Sequence, residues 1–411
     1  MPRAGQRKPP SDSRLTDHIS IGVLTRVFPA ELVDSVVAEA GRRERRQRLL
    51  PARVVVYYVL ALALFADSAY EEVMRQLVEG LAWESGWEQH WEVPTKVAIY
   101  KARERLGKEP LELLFRAVAV PLASESTRGA FYRGLRLMSL DGTTLDVADT
   151  PANEQAFGRP GSDRREGGGA FPQLRLVALA ESGTHAICDV AMGAYATSEK
   201  ELSDLLIDRL QEGMLCLADR GFYSFERFQK ARKTGAQLLW RVMGHMLLPR
   251  EEQLTDGSYL TRVYKNQPDQ RAGRAGERVR VIEYQLADPA LAPEEQRYRL
   301  LTTILSPDQA PGAELAGLYP QRWELESALD ELKTHQRGPR VVLRSKNPDG
   351  VYQEAYGHLC THYAIRRVMH DAALHADLIP HRLSYIRSLR ATRRTARTQP
   401  GFSPRKPHPS T

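Results

Sequence analysis

The sequence predicts an α/β fold: a mixed-sheet core carrying a β-rich insertion, preceded by an all-α N-terminal domain. Three observations predict it. Residues 16–125 carry helix-start and helix-stop residues around apolar stripes. From about residue 135 the pattern changes to short apolar runs bounded by turn residues. Further on, Tyr319-Pro-Gln-Arg322-Trp-Glu-Leu-Glu326 followed by Lys333 sets an acid between two cations at helical spacing.

In the N-terminal region, Pro29-Ala30 opens a helix that closes at Gly41, and Pro51 opens an apolar helix through Phe65. Ser68 can cap the next helix. Thr95 is an N-cap for Lys96–Leu106, with Gly107 as the stop. Lys96, Tyr100 and Arg103 share a face there, which suits either a recognition helix or an ordinary surface helix.

The core begins with a strand, Leu135–Leu140, leading into Asp141-Gly142-Thr143. Residues 173–180 and 184–192 form a hairpin about Glu181-Ser-Gly183. A helix over 198–212 starts with a capping box, Ser198 and Glu201. A short buried strand, Met214–Ala218, ends at Asp219; Ser224 caps a helix to about Thr234, and Gln237–Val242 is another strand. The order β-β-β-α-β-α-β is that of an RNase H-like core. Residues 243–299 interrupt it as a small β-rich insertion, with strand-like Tyr259–Tyr264 and Arg278–Leu286. Tyr298–Leu305 leads back to the Glu326 helix, which Gly338-Pro339 ends, and a last helix covers about 351–374.

The 411 residues are enough for two or three domains. Lys and Arg number 58 against 51 Asp and Glu, a net charge of +7, unevenly placed. Beyond Asp377 there is no acid, while Arg382, Arg387, Arg390, Arg393, Arg394, Arg397, Arg405 and Lys406 are basic. A second block spans Arg42 to Arg48. Such blocks favour a polyanionic partner. Residues 1–15 read as a flexible basic tail and 375–411 as a basic, disordered one. Cys188, Cys216 and Cys360 show neither metal spacing nor a pairing pattern, so a reducing cytoplasm is expected. The longest apolar run, Val54 to Ala66, falls short of the ~20 residues that span a bilayer, so no membrane partner is expected.

The chemistry rests on three acids far apart in sequence: Asp141, Asp219 and Glu326. In an RNase H-like sheet the first and fourth strands lie side by side, which brings Asp141 and Asp219 together near strand ends. A helix packed on that sheet supplies Glu326. Ionised carboxylates at 4 Å repel by about 4 kcal/mol per pair at an effective dielectric of 20. Either a proton or a divalent cation relieves this, and an all-oxygen donor set favours Mg²⁺ or Mn²⁺. Two such ions, roughly 3.5–4 Å apart, suit phosphodiester displacement. On a helix, Arg322, Glu326 and Lys333 fall within roughly 40° of one another, so both cations can grip phosphate beside the acid. Singly, each acid has a plainer reading. Asp141-Gly142 can be a turn, Asp219 can pair with Arg220, and Glu326 with Arg322 can be a surface pair worth about 0.3–0.5 kcal/mol. Asp146, Asp149, Glu324 and Asp330 are weaker candidates, Asp330 the best of them. Trp323 can stack on an unpaired base, with a core position as the default reading.

Three segments carry a family resemblance: Ser139-Leu-Asp141-Gly-Thr-Thr144, Leu217-Ala-Asp219-Arg-Gly-Phe222-Tyr223, and Tyr319-x2-Arg322-x3-Glu326-x6-Lys333. With Ala170–Arg175, they resemble the cut-and-paste DDE transposases of bacterial insertion sequences, of the insertion-element-four type. The resemblance implies that residues 16–125 are a helical DNA-binding domain and 131–374 an RNase H-like DDE catalytic domain, with 243–299 as its β-rich insertion. It implies Asp141, Asp219 and Glu326 as catalytic metal ligands for two Mg²⁺ ions (Mn²⁺ possible as a substitute). Tyr319, Arg322 and Lys333 would then contact DNA phosphates. The expected activity is metal-dependent strand cleavage and strand transfer on double-stranded DNA, at element ends and target. A homodimer is expected in the synaptic complex, in the bacterial cytoplasm at the nucleoid. The alternatives are an inert DNA-binding relic or inhibitor, and an RNase H-like nuclease without strand transfer. Pro320 departs from a regular helix, so the helix either begins near Leu318 or kinks there.

Overall fold

The computed structural model describes residues 21–44, 50–85, 94–160, 171–273, 276–285, 297–338 and 342–395. The described residues form two compact units, one within 123–329 and one from the residues up to 122 together with those from 330 on. The unit that starts at residue 123 ends at residue 329, because the long helix that follows packs with the N-terminal helices.

The helical unit opens with α1 (Ile21–Val27), α2 (Ala30–Glu39), α3 (Ala52–Leu64), α4 (Tyr70–Ser85), α5 (Lys96–Leu106) and α6 (Glu109–Val118). Pro29 and Pro51 sit at the N-caps of α2 and α3, where a missing N–H costs nothing. From Val54 to Leu64 every side chain of α3 is buried, so this helix is the centre of the unit rather than a surface element.

In the other unit, β1 (Phe131–Tyr132) and β2 (Leu135–Asp146) are followed by α7 (Pro151–Phe157), β3 (Gln173–Glu181) and β4 (Ala186–Ala194). Then come α8 (Glu199–Asp204), β5 (Met214–Ala218), α9 (Phe225–Lys233) and β6 (Gln237–Arg241). The expected capping box at Ser198 and Glu201 forms, but α8 stops at Asp204 and passes into a 3₁₀ turn, Ile207–Arg209. Strands run β4-β3-β2-β5-β6, the first three antiparallel and the β2-β5 and β5-β6 pairs parallel. This is the RNase H-like order.

The insertion holds β7 (Glu252–Gln253), β8 (Tyr259–Val263), α10 (Gln267–Arg271) and β9 (Glu277–Tyr284), and β10 (Tyr298–Thr302) follows it. It is not a separate lobe. β10 pairs antiparallel with β6, and β9, β8 and β7 add beyond it, so the insertion extends one sheet. Then come α11 (Gly312–Leu318), a 3₁₀ turn over Tyr319–Arg322, and α12 (Trp323–Asp330). The chain returns to the helical unit through a π-helical stretch, Glu331–Gln336, then α13 (Pro348–His375) and α14 (Tyr385–Thr395).

α14 corrects the expectation of a disordered tail from residue 375. Tyr385, Leu389 and Thr392 recur at helical spacing and are buried, and Arg393 donates to the Leu64 carbonyl. The basic tail beyond residue 395 and the one at 1–15 lie outside the described residues, as do part of the Arg42–Arg48 block and Pro339. Among the described residues no helix is long and apolar enough to cross a membrane.

Strand alternation aims the acids. Leu137, Leu215 and Leu239 pack with Leu315, Leu318 and Tyr319 on one sheet face, while Met138, Cys216 and Leu238 pack with Leu202 and Phe228 on the other. Counting by twos along β2, β5 and β6, Asp141, Asp219 and Arg241 fall on the α11 face. The β3-β4 turn fixes α12 on that face. The Gly183 N–H donates to the Glu324 carboxylate, and His185 Nε2 lies 3.8 Å from it. Gly183 has φ +81° and a Cβ there would lie 2.7 Å from the Gly129 carbonyl oxygen, so this turn needs glycine.

Candidate active site

β2 pairs with β5 only as far as Leu140–Ala218, where β5 ends and Asp219 follows. β2 itself runs on to Asp146 against β3, so Asp141 is inside its strand, not at its end as expected. It stands at the step where its neighbour stops, which opens the sheet beside it. Register thus places Asp141 and Asp219 on adjacent strands, whose usual spacing is about 4.8 Å.

The turn Tyr319–Arg322 brings in the rest. Pro320 is tolerated because it sits in a short 3₁₀ turn between two helices. The buried Tyr319 hydroxyl donates to Asp219 Oδ1 at 3.2 Å, and Arg241 Nη1 lies 3.5 Å from the same oxygen. Arg322 Nη1 donates to Asp141 Oδ2 at 3.2 Å and its Nη2 to Glu326 Oε1 at 2.7 Å. One guanidinium therefore joins the first and third acids of the sequence reading, 185 positions apart. Arg322 is 9% exposed in its side chain and Glu326 53%, so the arginine is fixed and the glutamate can swing. Arg322 Nε is buried and has no hydrogen-bond partner among the described residues.

Asp141 has its pKa pushed up to about 6. Burial is the main cause; the Gly142 N–H and Arg322 oppose it, and the carboxylates of Glu326 and Glu199 add to it. Sequence reasoning missed Glu199. Its carboxyl carbon would lie 2.7 Å from a Cβ built on Gly142, so glycine at 142 is what admits a fourth acid here. Arg175 Nη1 holds Glu199 at 3.4 Å and stacks over Tyr195. No local pattern marks Glu199, since α8 reaches Asp141 only through strand pairing; Arg175 lies in the Ala170–Arg175 segment.

Other expectations are corrected. Among the described residues no group of three His, Cys, Asp or Glu side chains is placed, as it stands, to hold a metal ion. Arg322 is the cation between Asp141 and Glu326 instead. The donor set nevertheless fits a hard divalent cation, being all carboxylate oxygen with one member whose charge is penalised. Lys333 belongs to the helical unit, on the π-helical stretch, so a 100° step does not carry its phase from Glu326. Trp323, read as core by default, is 58% exposed. Glu324 pins the β3-β4 turn, Asp146 accepts from Gln173, Asp149 pairs with Arg159, and Asp330 lies 3.3 Å from His335.

Residues 132–363 match the transposase DDE domain family, which spans more than half of the chain. The chain belongs to this DDE transposase family. Residues 18–116 match the insertion element 4 transposase N-terminal family. The transposase InsG for insertion sequence element IS4 of Escherichia coli K12 is 29% identical over 377 residues, covering 91% of this chain and 82% of that protein. Among solved structures, the piggyBac transposase synaptic complex with hairpin DNA is similar at 11% identity and a TM-score of 0.45, over 94% of this chain and 82% of that one. The three motifs of this transposase, Asp141-Gly-Thr, Asp219-Arg-Gly and Tyr319 to Glu326, all fall within the DDE match.

Proposed function

We propose that this protein is a cut-and-paste DNA transposase that binds the ends of its insertion sequence, nicks a strand and transfers the freed 3′-hydroxyl to new DNA. The observation that supports this most directly is the Arg322 guanidinium held between Asp141 and Glu326, beside the Tyr319–Asp219 pair. Asp141, Asp219 and Glu326 would hold the divalent cation, Mg²⁺ or Mn²⁺, singly or as a pair, which supplies the Lewis acidity that phosphodiester chemistry needs.

The protein's own residues do the rest. Arg322, fixed between Asp141 and Glu326, orients the scissile phosphate and offsets charge developing on it. Tyr319 keeps Asp219 turned into the site, and Arg241 limits repulsion there. Lys333 is assigned to a DNA phosphate outside the reacting centre. Two ends must be cut together, so the working form is a dimer on DNA.

The test is a labelled duplex taken from the DNA flanking the reading frame, incubated with full-length protein and Mg²⁺. The expected products are a nick at the element boundary and then joined strands. Binding without cleavage would make the protein an inert relic, and cleavage without joining would make it a nuclease.

A further inference from the structure

We infer that the outward face of α5, centred on Val97 and Tyr100 with Lys96, Lys101 and Lys346 around it, is the surface that reads the duplex at the element end. The inference rests on the proposed transposase function and names a DNA-reading surface for it. The sequence left α5 open between a recognition helix and a surface helix, and the structure divides its residues. Arg103, which the sequence put on the candidate face, is buried and structural. Its Nε donates to Gln353, and its Nη2 donates to Ser345 Oγ and the Gly350 carbonyl. Ile99, Ala102 and Leu106 face inward. The face that remains carries Val97, 62% exposed, and Tyr100, 47% exposed, three residues apart.

These side chains border a cavity of about 680 Å³ between α5 and the segment leading into α13. Lys96, Arg103, Arg344 and Lys346 line it against two acids, Glu104 and Asp349. The charge of Arg103 is bonded to neutral oxygens, so it adds to the positive potential of the cavity. Lys96 is 66% exposed and lies 3.4 Å from Glu71, a surface pair that a phosphate can replace at little cost. Tyr100 is held in place: its hydroxyl accepts from Asn347 Nδ2 at 3.1 Å, while Asn347 Oδ1 caps α13 by accepting from the Gly350 N–H at 2.7 Å. A fixed aromatic and an aliphatic side chain on a capped helix, ringed by lysines, match a duplex. The helix fits the major groove, the apolar pair meets base edges and thymine methyls, and the lysines meet phosphates.

The test compares the full-length protein with two variants, Val97→Ser/Tyr100→Ala and Lys101→Gln. Binding is measured by fluorescence anisotropy across a salt series, on the flanking-DNA duplex and on a scrambled duplex of equal composition. The double variant should lose about ten- to hundredfold of its preference for the end. Its affinity for scrambled DNA should stay within about twofold. Lys101→Gln should weaken both duplexes alike and lower the salt slope by about one. All three sites are exposed and Tyr100 gives up one hydrogen bond, so melting temperatures should fall by no more than a few degrees. If wild type prefers the end and the double variant keeps that preference, α5 is not the reading surface. If wild type shows no preference for the end, the proposed function itself is overturned, and this inference with it.

Discussion

Asp219→Asn, which keeps the shape of the side chain and removes its charge, should lower strand cleavage by about a thousandfold or more while end binding stays near wild type. Asp141→Asn and Glu326→Gln should behave alike. The reason is electrostatic. Each acid supplies one unit of the negative charge that would hold a divalent cation, and Asp141 is already strained toward protonation by burial and by its acidic neighbours. Neutralising one acid removes cation affinity that Glu199, held by Arg175, does not replace. The surface proposed to bind the end lies outside this centre, so anisotropy on the labelled end should change little. A gel assay reads the cleavage. Normal cutting by any one variant would remove that residue from the centre.

Arg322→Ala should cost about a hundred- to thousandfold in cleavage, roughly 2.7–4 kcal/mol of transition-state stabilisation. Two effects combine. The variant leaves Asp141 and Glu326 without the guanidinium that bridges them, and it removes the positive charge assigned to the scissile phosphate. Arg322→Lys should recover only part of the loss, because an ammonium keeps the charge but not the planar fork. Single-turnover cleavage rates for the two variants separate these contributions. Equal rates for Arg322→Lys and wild type would reduce the role of Arg322 to charge alone.

The core strands were legible because β5 and its neighbours are continuous apolar runs stopped by Asp and Gly, a pattern a buried parallel strand must have. The order of those strands followed, and with it the placing of Asp141 beside the end of the strand that leads into Asp219. Arg322 and Glu326 were legible as an i,i+4 pair, and that pair survives even though Arg322 sits on a 3₁₀ turn rather than on the helix proper. Less local features were not legible. The insertion strands β7 to β9 alternate like any exposed hairpin, and nothing in a strand's own residues says that it will extend the edge beyond β6 and β10. The phase of Lys333 was lost to a π-helical stretch that no residue between Glu331 and Gln336 announces. α14 was hidden by its arginines, although Tyr385, Leu389 and Thr392 did carry a helical stripe. Arg103 misled in the opposite sense, since a cation at helical spacing from a lysine looked like surface and is instead a clamp onto the start of α13.

The central claim is that Asp141, Asp219 and Glu326 serve one cation site. Loading the full-length protein with Fe²⁺ and adding peroxide cuts the polypeptide beside any bound iron, and the fragments can be sized by mass spectrometry. The account predicts cuts near residues 141, 219 and 326 in the same sample, all suppressed by excess Mg²⁺ and all absent in Asp219→Asn. Cuts beside only one of the three, or a pattern that Asp219→Asn leaves unchanged, would contradict it.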